Sequence, residues 1–306
     1  MVDKADKIWM DGKLVPWNEA TVHVMTHTLH YGLGAFEGIR CYERKDGRSA
    51  VFRLAEHVER LFASSHIITL PVPYTQQQII DACLETVRAN KLPECYLRPL
   101  VYMGDGAMGL GAMSNPTRVA ITVWKWGAYL GDEGLKNGIR AKVSSFNRPG
   151  VNTLMAKGKI VGHYVSSILA KREAIKGGYS EAIMLDPQGY VAEASGENVF
   201  VVRKGTVMTA PLGAPILGGI TRETVLTLCA DLGIPALERT IARDELYIAD
   251  EVFFCGTAAE ITPVREVDDR TVGAGTVGPI TKQIQDRFFQ VVRGKEVLHP
   301  EWLTFL

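Results

Sequence analysis

The chain of 306 residues carries no excess of charge and contains no long apolar run. Lys+Arg and Asp+Glu both number 34, and no Lys/Arg cluster stands out, which argues against a general nucleic-acid binder. No apolar run approaches the length of a membrane span. Residues 1–10 mix acidic and basic side chains and lack the apolar stretch of a secretory signal. We therefore expect neither a nucleic-acid nor a membrane partner.

Cysteine is scarce, and its placement is informative. The five cysteines are an odd number, lie far apart and never form a C-x-x-C pair; they are Cys41, Cys83, Cys95, Cys229 and Cys255. This pattern predicts a reduced, cytoplasmic protein rather than a disulfide scaffold. His23, His27 and His30 have helical spacing, but no H-E-x-x-H pattern or carboxylate cluster accompanies them. We therefore expect no metal cofactor.

Length and composition predict an ordinary globular protein of two domains. The chain is 46% hydrophobic and 22% charged, and 306 residues exceed one domain at about 150 residues each. The glycine-rich stretch 127–134 has no hydrophobic period, which is typical of a linker. We predict a small N-terminal domain at 1–126, a linker at 127–137 and a larger domain at 138–306.

Hydrophobic periodicity predicts a mixed α+β fold. Asp11-Gly12 is a turn pair inside an alternating segment, 7–17, and predicts a β-hairpin. The remaining predicted elements are helices at 56–68, 77–90, 159–176 and 221–232, strands at 96–103, 118–126, 139–145 and 198–202, and a hairpin of 182–185 with 190–193.

Several segments carry residues that suit an aldehyde cofactor with a phosphate group. Lys157 and Lys159 lie in a stretch of small and apolar residues, 152–164, and spacing alone does not choose between them. The glycine-rich segment 217–222 runs into a helix, whose N-terminus suits an anion. The turn 255–259 is similar, and Glu193 ends a strand where a carboxylate could hold a ring-nitrogen proton. Each segment taken alone also fits an ordinary loop, cap or strand end.

Two G-x-G-x-x-G matches raise a nucleotide-binding alternative, a nicotinamide-dependent oxidoreductase. The match at Gly104 follows a predicted strand but is followed by another strand, so the required helix is missing. The match at Gly273 precedes a helix starting at Pro279, yet the chain has no room there for a complete nucleotide-binding half. Both matches are better interpreted as loops.

Five collinear motifs resemble those of the branched-chain amino acid aminotransferases, which are fold-type IV enzymes that use pyridoxal 5'-phosphate. The motifs are residues 30–40 (HYGLGAFEGIR), the Lys159 segment, 193–198 (EASGEN), 219–222 (GITR) and 254–263 (FCGTAAEITP). The resemblance extends from about Ile8 to Phe288. It implies a two-domain fold like that of D-amino acid aminotransferase, with the cofactor at the interface of a small N-terminal α/β domain and a larger mixed α/β domain.

The resemblance also implies residue roles. Lys159, five residues before Tyr164, becomes the Schiff-base lysine and catalytic residue, and the role of Lys157 stays open. The implied cofactor-binding residues are Arg60, Tyr164, Glu193, Ile220, Thr221, Gly256 and Thr257. The implied substrate-binding residues are Tyr31, Phe36, Gly38, Arg40, Tyr96, Arg98, Trp126 and Ala258.

The implied reaction is ping-pong transfer of an amino group from leucine, isoleucine or valine to 2-oxoglutarate. The alternatives within fold type IV are a D-amino acid transaminase and an aminodeoxychorismate lyase. The loop at 104–116 lies where family members vary, so aromatic or methionine-type substrates stay open. A homodimer is the minimal assembly that the family implies, with a homohexamer as the larger alternative.

Overall fold

The structure is a computed structural model that describes residues 3–127 and 129–306. Residues 1 and 2 of the predicted first domain and residue 128 of the predicted linker lie outside the described residues. The strands are β1 (Lys7–Met10), β2 (Lys13–Pro16), β3 (Gly34–Phe36), β4 (Ile39–Glu43), β5 (Ser49–Phe52), β6 (Cys95–Met103), β7 (Thr117–Trp124), β8 (Ile139–Val143), β9 (Glu181–Leu185), β10 (Val191–Ala194), β11 (Asn198–Arg203), β12 (Thr206–Thr209), β13 (Ala236–Glu238), β14 (Glu251–Gly256), β15 (Glu260–Val267), β16 (Arg270–Thr271) and β17 (Leu303–Phe305).

The helices are α1 (His27–Tyr31), α2 (Leu54–Ile67), α3 (Gln76–Asn90), α4 (Asp132–Asn137), α5 (Tyr164–Lys176), α6 (Ile220–Asp231) and α7 (Pro279–Arg293). Together with the strands they confirm the predicted α+β class. In the described ranges, none of the helices has the length and apolar character needed to cross a membrane.

The chain divides into two compact units. The first contains residues 3–126, Gly158–His163 and Val291–Leu306, and the second contains Gly127–Lys157 and Tyr164–Gln290. Segments 158–163 and 291–306, which fall in the predicted second domain, therefore belong to the first unit. Helix α4 lies inside the predicted linker. The boundaries of independently folding domains stay a prediction.

The first unit is built on an antiparallel sheet with strand order β17-β5-β4-β6-β7-β1-β2, and β3 also pairs with β6. Asp11 and Gly12 both have positive φ, 49° and 94°, which is the backbone of a tight hairpin and confirms that predicted turn. Helices α2 and α3 place Leu61 and Ile79 in the buried core with Leu97 of the sheet. The apolar period of about 3.6 residues produces this packing.

The second unit is built on a mixed sheet with strand order β10-β9-β8-β15-β14-β11-β12-β13, and β16 pairs with β15. Strand β8 runs parallel to both β9 and β15, whereas β14 is antiparallel to both β11 and β15. The β9–β10 hairpin and helix α6 confirm the predictions for those segments. The candidate cofactor residues of this unit lie at or next to the ends of β10 and β14 and at the starts of α5 and α6.

Candidate active site

Lys159 lies between secondary-structure elements, not on a helix. The predicted helix 159–176 is wrong at its start, because α5 begins at Tyr164. The backbone N–H of Lys159 donates to Ser64 Oγ at 2.9 Å, and its carbonyl accepts from the N–H of Phe36 at 3.1 Å. Both main-chain groups of Lys159 are thus used by the first unit, so they are not available to a helix.

The two candidate lysines have different surroundings. The ammonium group of Lys159 lies 4.9 Å from the centre of the Phe36 ring in the first unit. In the second unit, the Lys157 amine donates to the carbonyl oxygens of Ala214 at 3.0 Å and Ile216 at 2.8 Å. Partial desolvation lowers the pKa of Lys157, and Glu193 opposes that shift. The carbonyl contacts give Lys157 a structural role, which neither its spacing nor the resemblance indicated.

Arg60, on α2, is paired with a buried carboxylate. Its Nε donates to Glu37 Oε1 at 2.7 Å and its Nη2 donates to Glu37 Oε2 at 2.8 Å, which is a bidentate ion pair. Glu37 is fully buried and also accepts from His57 Nδ1 at 2.7 Å. Burial alone would raise the pKa of Glu37, but Arg60 and His57 hold it far below its usual range. Sequence reasoning missed Glu37 and His57, although Glu37 lies inside the 30–40 motif.

Apart from Tyr31, the predicted substrate residues of the first unit lie on strands or within two residues of a strand end. The rings of Tyr96 and Trp126 meet edge to face at 4.5 Å. Arg40 is the register partner of Tyr96, and its Nη1 donates to the Trp126 carbonyl at 3.2 Å. A Cβ at Gly38 would lie 1.8 Å from the Tyr96 hydroxyl oxygen, so only glycine fits there. The structure therefore brings four of the predicted substrate residues together, Gly38, Arg40, Tyr96 and Trp126.

Arg98, on β6, lies against aromatic rings. Its guanidinium carbon is 4.7 Å from the centre of the Phe36 ring and 5.5 Å from that of Tyr96. Its buried Nε has no hydrogen-bond partner among the described residues. A buried, unpaired donor is costly unless a ligand completes it. Arg98 is thus suited to bind a carboxylate.

Tyr31 is placed differently from the other substrate candidates. It ends α1, is 44% exposed, and its ring lies 4.6 Å from that of His27. Gly32 follows in the left-handed conformation, with φ 72°, and closes the helix. The substrate role of Tyr31 stays a prediction.

Glu193 is a buried carboxylate whose partners in the second unit include a cation and two N–H donors. Arg148 Nη2 lies 2.9 Å from Oε1, and Oε2 accepts from Asn198 Nδ2 at 3.2 Å and from the Leu217 N–H at 3.1 Å. A cation and two amide donors favour the ionised form of a buried carboxylate. Arg148 and Asn198 were not predicted. Asn198 lies in a recognised motif, whereas no local signal marks Arg148.

Helix α6 begins directly after the loop that contacts Glu193. Its N-cap is Gly219, which is extended and offers no side chain to the helix N-terminus. A Cβ at Gly219 would lie 2.0 Å from Asn198 Oδ1, so the close approach of loop and strand requires glycine. Thr221, in the first turn, is buried. Backbone N–H groups, a helix dipole and a hydroxyl together suit a phosphate.

The turn between β14 and β15 lies next to these groups. Asn198 pairs with Cys255 in the β11–β14 ladder, and Gly256 pairs with Glu260 across the turn that contains Thr257 and Ala258. The structure therefore brings this turn, the Glu193 carboxylate and the start of α6 together within the second unit. The individual cofactor roles of these residues stay predictions.

Tyr164 is the first residue of α5 and is half-buried. It belongs to the second unit, whereas Lys159 belongs to the first. Its contact with the cofactor ring oxygen stays a prediction.

The N-terminus of α7, which follows the Gly273 loop, is already occupied by a side chain of the protein. Glu251 accepts from the Ile280 N–H at 3.0 Å and from the Thr281 N–H at 2.7 Å. A Cβ at Gly278 would lie 2.1 Å from the same carboxyl group, so this glycine accommodates Glu251. A nucleotide phosphate would compete with that carboxylate, which argues against the nicotinamide alternative.

Comparisons with known proteins agree with this geometry. The model of the family described as amino-transferase class IV matches residues 34–267. The branched-chain-amino-acid aminotransferase of Pseudomonas aeruginosa is 50% identical over 306 residues, covering 100% of this chain and 99% of that protein. The crystal structure of the Escherichia coli branched-chain amino acid aminotransferase has a TM-score of 0.96 at 46% identity, with 98% of this chain and 99% of that chain covered.

A third similar protein was solved with a bound compound. This T.th. branched-chain amino acid aminotransferase, complexed with N-(5'-phosphopyridoxyl)-L-glutamate, has a TM-score of 0.93 at 43% identity, with 98% of each chain covered. Family match and full-length similarity lead to the same assignment. The chain belongs to amino-transferase class IV and, within it, to the branched-chain-amino-acid aminotransferases.

Proposed function

We propose that this protein transfers the amino group of leucine, isoleucine or valine to 2-oxoglutarate with pyridoxal 5'-phosphate as its cofactor. The observation that carries the proposal is the Glu193 carboxylate, buried and held by Arg148, Asn198 and the Leu217 N–H. A carboxylate fixed in this way can keep a proton on a pyridine nitrogen. A similar enzyme bound to a phosphopyridoxyl compound supports the same cofactor.

The donor set of the described residues fits this cofactor. In the second unit, the α6 N-terminus with Ile220 and Thr221, together with Gly256 and Thr257, would hold the phosphate. Glu193 would hold the ring nitrogen and Tyr164 the ring oxygen. In the first unit, Arg60 would contribute a guanidinium to the phosphate and Lys159 the amine that attaches the cofactor.

Lys159 is proposed to act twice. When bound, the cofactor supplies an aldehyde that accepts the amino group and a ring that withdraws electron density from the substrate Cα. The Lys159 amine first yields its place to the substrate amine. Its Nζ would then take the proton from the substrate Cα, hold it and deliver it to the carbon of the cofactor aldehyde group.

The first unit suggests how one surface could bind two kinds of substrate. Phe36, Tyr96 and Trp126 present aromatic surface that would contact a branched apolar side chain. Arg98, whose Nε has no partner in the described part of the chain, would bind the second carboxylate of glutamate or 2-oxoglutarate. We propose that Gly38, Arg40, Tyr31 and Ala258 complete the substrate contacts.

Absorbance spectroscopy with two lysine variants tests the proposal. The purified protein should be yellow, lose that absorbance on borohydride treatment, and respond to L-leucine and L-glutamate. Lys159→Ala should abolish turnover. Lys157→Ala should retain turnover and lower the melting temperature, because its amine binds two carbonyl oxygens.

Three results would contradict the proposal. A colourless protein that does not reconstitute with pyridoxal phosphate would exclude the cofactor. Equal activity of the two lysine variants would overturn the role of Lys159. A response to D-alanine, with none to L-leucine or L-phenylalanine, would move the substrate assignment to the D-specific relatives.

We also propose a homodimer as the minimal assembly. Large apolar side chains are exposed in the first unit: Val24 at 69%, Leu29 at 63%, Leu110 at 90% and Met113 at 93%. Exposed apolar surface of this kind marks interaction sites. Sedimentation analysis would distinguish a dimer or hexamer from a monomer. A monomer would contradict the proposal.

We propose a reducing, cytoplasmic location. The five buried free cysteines are consistent with it.

A further inference from the structure

Glu37 and His57 form a buried network around Arg60 that the reaction itself does not explain. We propose that Glu37 is a positioning residue that fixes the orientation in which the Arg60 guanidinium binds the cofactor phosphate, and that His57 holds Glu37 in place. This inference rests on the proposed phosphate role of Arg60. All three residues belong to the first unit.

The location of Glu37 supports a positioning role. It lies in the two-residue link between β3 and β4, where its backbone N–H donates to the Pro99 carbonyl at 2.9 Å. Its main chain is therefore fixed to the sheet. Arg60 and His57 lie three residues apart on α2 and so share one helix face. The carboxylate thereby connects α2 to the strands of the sheet.

The hydrogen bonds of Glu37 account for all its lone pairs. The Glu37 carboxylate accepts from Arg60 Nε, Arg60 Nη2, His57 Nδ1 and the Gly38 N–H, the last at 3.3 Å. Four donors saturate the lone pairs of a carboxylate. The same pair orients the guanidinium through two of its N–H groups, Nε and one on Nη2. Glu37 thus holds Arg60 as an oriented cation whose side chain is 14% exposed.

His57 completes the network without adding a charge. Burial lowers the pKa of His57, although Glu37 opposes that shift. Because a carboxylate only accepts, the neutral imidazole carries its proton on Nδ1 and donates it to Glu37. Nε2 has no hydrogen-bond partner among the described residues. The single negative charge of Glu37 is therefore directed at Arg60.

The physical consequence concerns side-chain entropy. A long arginine side chain loses about 2 kcal/mol of rotamer freedom when a ligand fixes it. The bidentate pair fixes the guanidinium plane before a ligand arrives, so less freedom is lost on binding. Without Glu37, Arg60 keeps its charge but loses its orientation.

The test compares binding of pyridoxal phosphate with binding of pyridoxal, which lacks the phosphate, to the full-length apoprotein. The dissociation constant of pyridoxal divided by that of pyridoxal phosphate measures recognition of the phosphate alone. This ratio does not depend on turnover. Arg60→Gln should reduce the ratio about 100-fold and Glu37→Gln about 10-fold, since charge-assisted hydrogen bonds contribute about 1.5–3 kcal/mol. The double variant should match Arg60→Gln, because the two residues act as one unit.

Glu56→Gln is the matched control. It removes a neighbouring Glu–Arg pair at the N-terminus of α2, in which Arg53 Nε lies 2.7 Å from Glu56 Oε1, and it should leave the ratio unchanged. If Glu37→Gln does not fold, two His57 variants test whether the orientation of Glu37 affects phosphate recognition. His57→Asn retains an N–H near the position of Nδ1 and should keep the ratio, whereas His57→Leu should lower it.

The outcomes separate this inference from the proposed function. A normal ratio in Glu37→Gln with a reduced ratio in Arg60→Gln would overturn the positioning role and leave the function intact. A normal ratio in Arg60→Gln would refute its phosphate role, and the inference would fail with it. Equal ratios in His57→Asn and His57→Leu would refute the supporting role of His57. A ratio reduced equally in Glu56→Gln and Glu37→Gln would overturn the positioning role, because the effect would then not be specific to Glu37.

Discussion

Replacing Glu197 by glutamine should stabilise the protein at alkaline pH. Glu197 is buried directly before β11, where its Oε2 accepts from the Gly196 N–H at 3.1 Å. Burial, followed by the charge of Glu181, raises its pKa from the ordinary 4.5 to about 8, and Lys171 opposes the shift. At neutral pH the folded protein therefore keeps a proton on Glu197 that the unfolded chain has lost.

The sign of the effect follows from proton linkage. Between pH 4.5 and 8 the unfolded state binds fewer protons at this site than the folded state, so the free energy of unfolding falls as pH rises. Above that range both states are ionised and the loss is complete. A tenfold change in an acid constant corresponds to about 1.4 kcal/mol, so the full loss has an upper limit of about 5 kcal/mol.

Glutamine has nearly the size of glutamate and can accept the same Gly196 hydrogen bond, but it does not titrate. The difference in stability between Glu197→Gln and the parent should therefore grow from pH 5 to pH 9. At about 2 °C per kcal/mol, the upper limit corresponds to a gain of about 10 °C in melting temperature.

Calorimetry or circular dichroism at several pH values would measure the effect. Glu85→Gln, which changes an exposed carboxylate on α3, should show no such trend. Parallel curves of melting temperature against pH for the parent and Glu197→Gln would refute the reasoning.

Two further predictions concern the second unit. Gly219→Ala should weaken binding of pyridoxal phosphate, measured by titrating the apoprotein, because the new Cβ would lie 2.0 Å from Asn198 Oδ1. Gly218→Ala is the control: its Cβ would meet its nearest neighbour at 3.8 Å, so it should bind the cofactor normally in the same titration. Arg148→Met removes the guanidinium that lies 2.9 Å from the buried Glu193 carboxylate and should lower the free energy of unfolding by about 3–5 kcal/mol. Denaturant unfolding would measure this, and a stability equal to the parent's would contradict it.

Local patterns were sufficient for much of the fold. The apolar period predicted α2 and α3 to within two residues, and Asp11-Gly12 predicted the first hairpin. These elements depend on which side of a local segment is buried, and the regular spacing of apolar residues along that segment shows which side it is. The same reasoning failed at Lys159, because its N–H donates to Ser64 Oγ and its carbonyl accepts from the Phe36 N–H, and both partners are far away in the chain.

The sequence by itself determined the family, through five motifs in order, and with it the candidate residues of the site. Only the tertiary structure decided their environments. It tied Lys157 to backbone carbonyls, paired Arg60 with Glu37, and set Arg148 beside Glu193. These partners come from segments that are distant in sequence, so no spacing rule predicts them. Their contacts exist because strand register and helix packing bring those segments within hydrogen-bond distance.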